Sequence, residues 1–469
     1  MTILQIAILA LLATMIGQLP KARQLAMLAV SALAIFWLQP AEPFVSLQFW
    51  LPFATIAAVS LSWALTSARE ERAFRQNWPA IAILGAVTIL AALNRYIKLQ
   101  FFFTTNTPPV ELVLAVAVGE AVVATALLRW RALDRLWLAA ALTAIILVFI
   151  VLKSPLLMHK LMAHVAAIRG EASQTRTATI SWLGYSYLAF RLIHTIRDRQ
   201  SGRLPPVTLE EYANYVIFFP SFTAGPIDRL ERFTIELCAP LPLANEDWID
   251  AGSRLFVGLF KKFVIADLLA VISLNDVLVS QVRSSGWMWV FLYAYAFRIY
   301  FDFSGYTDMA IGIGRLMGVR LPENFAQPYL KANLTQFWNS WHMTLTQWFR
   351  TYFFNPLTRA LRSSVQALPV WLMILMTQMS TMILIGLWHG ITFNFAIWGA
   401  WHGIGLFIHN RWTEFIRPRT PAFMQVGAGR IAASAVGTFL TFNYVALGWL
   451  FFVLSTPVIA WHAILKLLG

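Results

Sequence analysis

The stretch Val370-Trp-Leu-Met-Ile-Leu-Met-Thr-Gln-Met-Ser-Thr-Met-Ile-Leu-Ile-Gly-Leu-Trp388 holds 19 residues without a single Asp, Glu, Lys or Arg. It runs directly into His389-Gly-Ile-Thr-Phe-Asn-Phe-Ala-Ile-Trp-Gly-Ala-Trp-His-Gly403. A helix of about 20 apolar residues spans the hydrocarbon of a bilayer. This segment therefore reads as a membrane helix with a histidine at its end. The rest of the chain has the same texture: 59% of its 469 residues are hydrophobic and 12% are charged. Soluble domains carry about 25% charge. Half that amount cannot cover a soluble body of this size, which excludes an ordinary soluble enzyme, a disordered chain and a fibrous one. The fold class is all-α, a polytopic membrane protein.

Similar apolar runs recur from Ile3–Ile16 to Ile431–Leu454 and give about 10–13 spans. Several are short or carry polar residues, as re-entrant or interfacial helices do. The first run has no basic residue before it and no small-residue cleavage site after it, so it reads as a retained helix. The net charge of +14 falls in short clusters between the runs. Lys21 and Arg23, then Arg69, Arg72 and Arg75, then Arg129, Arg131 and Arg135 mark the odd-numbered loops. Positive loops stay cytoplasmic, which puts the N-terminus outside. The basic sixth loop, Lys153–Thr179, pulls the other way, and Arg197, Arg199 and Arg203 restore the pattern. Cys238 is the one cysteine, so no internal disulfide forms, and it reads as a small packing residue.

The texture changes along the chain. Residues 1–155 are apolar runs that read as scaffold, residues 181–410 interleave polar and aromatic residues with the apolar ones, and 411–469 look like closing helices of one transmembrane domain. Polar groups at membrane depth are costly and mark function. Four stretches stand out. In Phe219–Phe233, Pro220, Gly225 and Pro226 break the helix before Asp228, Arg229, Glu231 and Arg232. This is either a helix end with solvated charges or a pocket wall. In Arg298–Asp308, Asp302, Ser304 and Asp308 sit among aromatic rings, with Arg298 and Arg315 in reach as counter-charges. A structural ion pair or cap and a substrate contact are both open for Asp302.

The third stretch is Asn333-Leu-Thr-Gln-Phe-Trp-Asn-Ser-Trp-His-Met-Thr-Leu-Thr-Gln-Trp-Phe-Arg350. On one continuous helix, Thr335, Asn339, His342, Thr346 and Arg350 form a single polar stripe beside Trp338, Trp341 and Trp348. The stripe either meets headgroups or lines a cavity. The fourth is Gly386–Gly403, with Trp-His-Gly twice at a spacing of 13 residues. On one helix that spacing turns His389 and His402 to nearly opposite sides, unless the helix breaks near Gly390 or Asn394. A metal held by the pair is not expected, since no Cys or carboxylate stands at ligand spacing. Geometry alone leaves the choice between the two histidines open.

At these residues the chain resembles the membrane-bound O-acyltransferase family, in its bacterial alginate O-acetylation and teichoic acid D-alanylation branch. The matching stretches are Gly184–Arg191, Ala224–Arg229, Tyr300–Tyr306, Glu323–Tyr329, Trp338–Arg350 and Gly386–Gly403, in family order over about Ser181–Asn410. Gln347-Trp-Phe-Arg-Thr351 departs from the branch, which often has Ser-Thr-Trp-Phe-Arg-Asp. The resemblance implies a ring of helices around a central funnel. It implies that His389 is the essential histidine and general base. It makes His342 the upstream polar partner, orienting the acyl group or acceptor or sharing the proton, and His402 a structural residue. Histidine suits proton transfer near neutral pH. Trp338, Asn339, Trp341, Thr346, Arg350, Trp388 and Asp302 are the candidate substrate contacts.

The implied reaction moves an acyl group, acetyl first, from a cytoplasmic thioester to hydroxyls of a cell-surface polysaccharide or to a partner transferase outside the membrane. The donor is acetyl-CoA or an acyl carrier protein's phosphopantetheine thioester, with no tightly bound cofactor, no metal and no nucleic acid. The place is the bacterial cytoplasmic membrane. Acyl transfer to a teichoic-acid-like polymer is the nearest alternative. A transporter of acyl groups or lipid-linked sugars with a histidine proton relay, and a non-catalytic membrane scaffold, are the alternatives outside the enzyme class.

Overall fold

The computed structural model describes every residue except 43–45, 99–106, 130–133, 170–178, 240–242, 364–367, 417–418 and 420–425. Arg131 and Arg176 thus lie outside the described residues, and much of the expected sixth loop is a helix, Pro155–Arg169. The described chain is helical, with no strand. Among the described residues six helices are long and apolar enough to cross a membrane: Leu47–Thr66, Phe74–Ile97, Val110–Arg129, Arg135–Lys153, Val370–His389 and Gly427–Val453. Shorter apolar helices include Ile3–Gly17, Arg23–Trp37, Pro155–Ile168 and Pro457–Leu468. The polytopic all-helical class is what the composition required.

The chain divides into two compact units, Met1–Leu255 with Met309–Pro322, and Phe256–Asp308 with Glu323–Gly469. In the first, helix Leu209–Ile217 packs against Arg23–Trp37, Leu47–Thr66 and Phe74–Ile97. The broken stretch after it is buried at its turn, while Arg229 and Glu231 beyond it are exposed at the start of the next helix, as a solvated helix end has them. Its 3-10 turn, Phe219–Ser221, is buried, and the buried guanidinium of Arg191 ties the turn to the end of the preceding helix. Arg191 donates to the Val216 oxygen at 2.6 Å and to the Ser221 oxygen at 2.9 Å. A kinked backbone at membrane depth needs such internal partners. Arg23 also moves from its expected place. It is buried and donates to the carbonyls of Leu237, Ala239 and Met317, so it does not mark a loop. Cys238 is exposed rather than packed.

In the second unit, Val370–His389 and Phe393–Phe415 form an antiparallel helical hairpin, and Gly427–Val453 packs on the second of them. The spacing of glycines explains how closely the hairpin closes. A Cβ on Gly386 would lie 2.1 Å from the Phe395 carbonyl oxygen, and one on Gly399 would lie 2.4 Å from that of Met382. Small residues let membrane helices approach to backbone contact. Gly386→Ala is therefore expected to open the hairpin at a cost of about 3 kcal/mol, at the upper end of overpacking. A lower melting temperature of the detergent-solubilised variant measures this, and an unchanged one shows that the contact is not as tight as drawn.

Candidate active site

The candidate residues all fall in the second unit. The expected continuous helix from Asn333 to Arg350 does not form. Leu334–Trp338 ends in a turn, His342 takes the left-handed backbone (φ 44°, ψ 54°), and a second helix runs from Met343 to Phe349. Left-handed backbone is rare for a residue with a side chain and clusters at functional sites. The break splits the polar stripe. Thr335 and Asn339 are exposed; Thr335 meets His409 at 3.1 Å, and Asn339 accepts from Arg350 at 2.7 Å. Thr346 keeps its backbone bond to the His342 carbonyl at 3.1 Å. His342 alone turns inward and is 2% exposed.

What holds His342 there is Asn324, which sequence reasoning quoted within Glu323–Tyr329 but did not single out. Asn324 is fully buried, and its backbone carbonyl accepts from Met343 N–H at 2.9 Å. Its side-chain oxygen takes the Thr344 N–H at 3.2 Å and the Thr344 hydroxyl at 2.9 Å. An atom that accepts an N–H must be the amide oxygen, which fixes the orientation of Asn324. The same oxygen lies 3.1 Å from His342 Nδ1, so Nδ1 carries the hydrogen. In the neutral ring Nε2 then holds a lone pair. That atom is buried and has no hydrogen-bond partner among the described residues. Burial, with His389 adding to it, holds the His342 pKa well below the ordinary imidazole value, so the ring is neutral near pH 7.

Aromatic rings build the walls. Phe303 lies edge-on to His342 at 4.7 Å between centroids. The Trp388 ring lies 6.2 Å from that of His342 and 4.5 Å from that of His389. His389 is the last residue of its helix, and Gly390 and the turn to Phe393 follow. The break near Gly390 that the 13-residue spacing left open is present, and the two Trp-His-Gly motifs belong to two helices. Trp398 joins them, with its ring 5.6 Å from His389 and 4.9 Å from His402. Phe452 closes on His389 at 4.8 Å. His389 is half-buried, whereas His402 is 0% exposed. The indole nitrogens of Trp338 and Trp398 and both nitrogens of His402 are buried without a hydrogen-bond partner among the described residues. Buried polar atoms are nearly always paired, so these groups of Trp338, Trp398 and His402 are exceptions to that rule.

Trp341 stands in an aromatic stack with Phe325, Tyr329, Phe337 and Trp449. Asp302 is half-exposed and paired with Lys262; Asp308 bonds Lys261 at 2.7 Å. The expected counter-charges Arg298 and Arg315 are thus replaced by two lysines from a π-helical turn, Lys261–Ala266, and Arg315 instead bonds Asp247 at 3.1 Å and Asp250 at 2.9 Å. The lysines lie about 40 residues earlier in the chain, and no local spacing links them to these carboxylates. Among the described residues no three His, Cys, Asp or Glu side chains gather in a way that suits a metal.

The family model for membrane-bound O-acyltransferases matches residues 124–454. The chain belongs to this family, and O-acyl transfer is the reaction class that membership assigns. The match extends past the quoted motifs on both sides and takes in helices Arg135–Lys153 and Gly427–Val453. Among curated proteins the chain is 32% identical to the teichoic acid D-alanyltransferase of Streptococcus thermophilus over 287 residues, 58% of this chain and 68% of that one. It is 33% identical to the probable alginate O-acetylase AlgI of Pseudomonas aeruginosa over 60% of this chain and 50% of that one. It is 35% identical to the peptidoglycan O-acetyltransferase of Helicobacter pylori over 52% of this chain and 43% of that one. The chain therefore spans about two thirds of the first relative and about half of the other two.

Proposed function

We propose that the protein transfers an acyl group, acetyl foremost, from a cytoplasmic thioester to hydroxyls of a cell-envelope polysaccharide or to a partner transferase outside the membrane. The observation that carries this reading is the pair of histidine rings, both against Trp388, one of them with its tautomer fixed so that Nε2 accepts a proton. His389 is the general base, because a base must touch the hydroxyl it deprotonates and His389 is the more accessible ring. His342 shares or orients the proton through Nε2. Trp398, whose ring lies 5.6 Å from that of His389, offers an N–H donor to the carbonyl oxygen as it gains charge. In balance, the acceptor oxygen bonds the acyl carbon, the carbon–sulfur bond breaks, and the hydroxyl proton passes through histidine to the leaving thiolate.

The donor is acetyl-CoA or a carrier protein's phosphopantetheine thioester, drawn to the cytoplasmic face of a chain with net charge +14. The protein sits in the bacterial cytoplasmic membrane with its N-terminus outside. Similarity to proteins named for alginate and peptidoglycan O-acetylation supports acetyl transfer; similarity to the teichoic acid D-alanyltransferase supports aminoacyl transfer to a polyol polymer as the second reading. The test is reconstitution in sealed vesicles with radiolabelled acetyl-CoA, acetyl carrier protein or D-alanyl carrier protein on one side and polysaccharide on the other. Label moving to hydroxyls from an acetyl donor supports the first reading. Label moving only from the D-alanyl carrier supports the second. Labelled thioester crossing intact, with no transfer, shows a transporter.

A further inference from the structure

Helix Gly427–Val453 carries a stripe that the acyl-transfer reading leaves unused. Arg430, Ser434, Thr438 and Phe442 recur every fourth residue, on one face, and line an open groove of about 950 Å³ closed by Phe297 and Tyr329. The rim is apolar and outward-facing: Leu330 is 69%, Ile431 70% and Phe439 66% exposed. Arg430, in the first turn of this membrane-length helix, is the groove's single cation, and no carboxylate lines the groove among the described residues. At 1.5 Å per residue the stripe from Arg430 to Phe442 is about 18 Å long. That is close to one leaflet of hydrocarbon, about 15 Å.

We propose that this groove binds one anionic glycerophospholipid, its phosphate on Arg430 and one acyl chain along the stripe to Phe442. A guanidinium at the interface and a phosphate fit as a charge-assisted pair. A zwitterionic lipid offers the same phosphate with an ammonium that offsets its charge, so charge complementarity favours the anionic class. Shape argues for a chain rather than a sugar, since the floor is Phe297, Tyr329 and Phe442. The inner end abuts the catalytic unit's aromatic stack: Tyr329 lies 5.1 Å from Phe442 and 5.6 Å from Trp341, the residue before His342. A seated chain braces Tyr329 from the lipid side.

The test uses the full-length protein in detergent, equilibrated with equal amounts of phosphatidylglycerol and phosphatidylcholine and read by native mass spectrometry. The wild type is expected to keep one lipid, with phosphatidylglycerol preferred about fivefold, the factor equivalent to ~1 kcal/mol for one interfacial cation. Arg430→Gln is expected to lose the preference while still binding one lipid. Ala435→Trp, which fills the groove, is expected to lose the bound lipid, with size-exclusion behaviour and melting temperature checking that it is folded. No preference in the wild type, a preference that survives Arg430→Gln, or unchanged occupancy in folded Ala435→Trp overturns the proposal. None of these readouts depends on acyl transfer, so this inference and the proposed function stand or fall separately.

Discussion

Alanine at His389 is expected to lower the rate of acyl transfer by about 10²–10⁴-fold, the range that a positioned general base contributes. The reason is local. His389 ends its helix half-exposed, in a cage of Trp388, Phe395, Trp398 and Phe452, and the other two histidines against those rings, His342 and His402, are buried. Alanine at His342 acts through position instead, with an expected loss of about 10²-fold, the scale of a small displacement next to the reacting atoms. The two rings share Trp388, so the double variant is expected to be no slower than His389→Ala alone. Groups that act as one unit are not additive. Initial rates with a thioester and a soluble hydroxyl acceptor, on variants that elute as the wild type does, measure all three. Full transfer by His389→Ala removes the base assignment. Losses that multiply in the double variant show two independent roles.

How much of this was visible in the sequence differs between fold and site. The membrane class followed from charge scarcity alone, because a lipid-facing helix needs no partner to be recognised. The two histidines were visible through their motifs. Their geometry was not, and for identifiable reasons. The polar stripe from Thr335 to Arg350 assumed an unbroken helix, and one left-handed residue, His342, removes that assumption. Nothing in the run Asn-Ser-Trp-His-Met announces it, since neither glycine nor proline marks the break. Asn324 escaped notice because its importance comes from a contact made 18 residues away. Asp302 looked like an intramembrane carboxylate in search of an arginine; a lysine from another helix satisfies it, and half of its side chain faces outward. The two Trp-His-Gly motifs look alike in sequence, but their glycines, Gly390 and Gly403, pack against different neighbours: a Cβ would lie 2.7 Å from the Phe395 ring on the first and 2.8 Å from Met379 Sδ on the second.

Substitution of Asn324 gives the second large effect, and its direction depends on the replacement. Asn324→Leu keeps the volume but removes the acceptor shared by His342 Nδ1, Thr344 N–H and the Thr344 hydroxyl. Each buried donor left without a partner costs about 1–3 kcal/mol, and His342 is free to place its hydrogen on Nε2. Transfer is expected to fall about 10²-fold at every pH, with lowered thermal stability. Asn324→Asp preserves the acceptor and adds a negative charge beside Nδ1–H. An adjacent carboxylate favours the imidazolium, so the His342 pKa rises. In the native protein burial holds that pKa well below the usual value, and the acid limb of the pH–rate profile lies correspondingly low. In Asn324→Asp the limb is expected to move to higher pH, with the rate recovering as pH increases and the ring gives up its proton. A merely structural asparagine predicts a uniform loss with an unmoved profile. An unshifted acid limb in an active Asn324→Asp enzyme therefore separates Asn324 from the proton chemistry of His342, and a shifted one ties the buried amide to it.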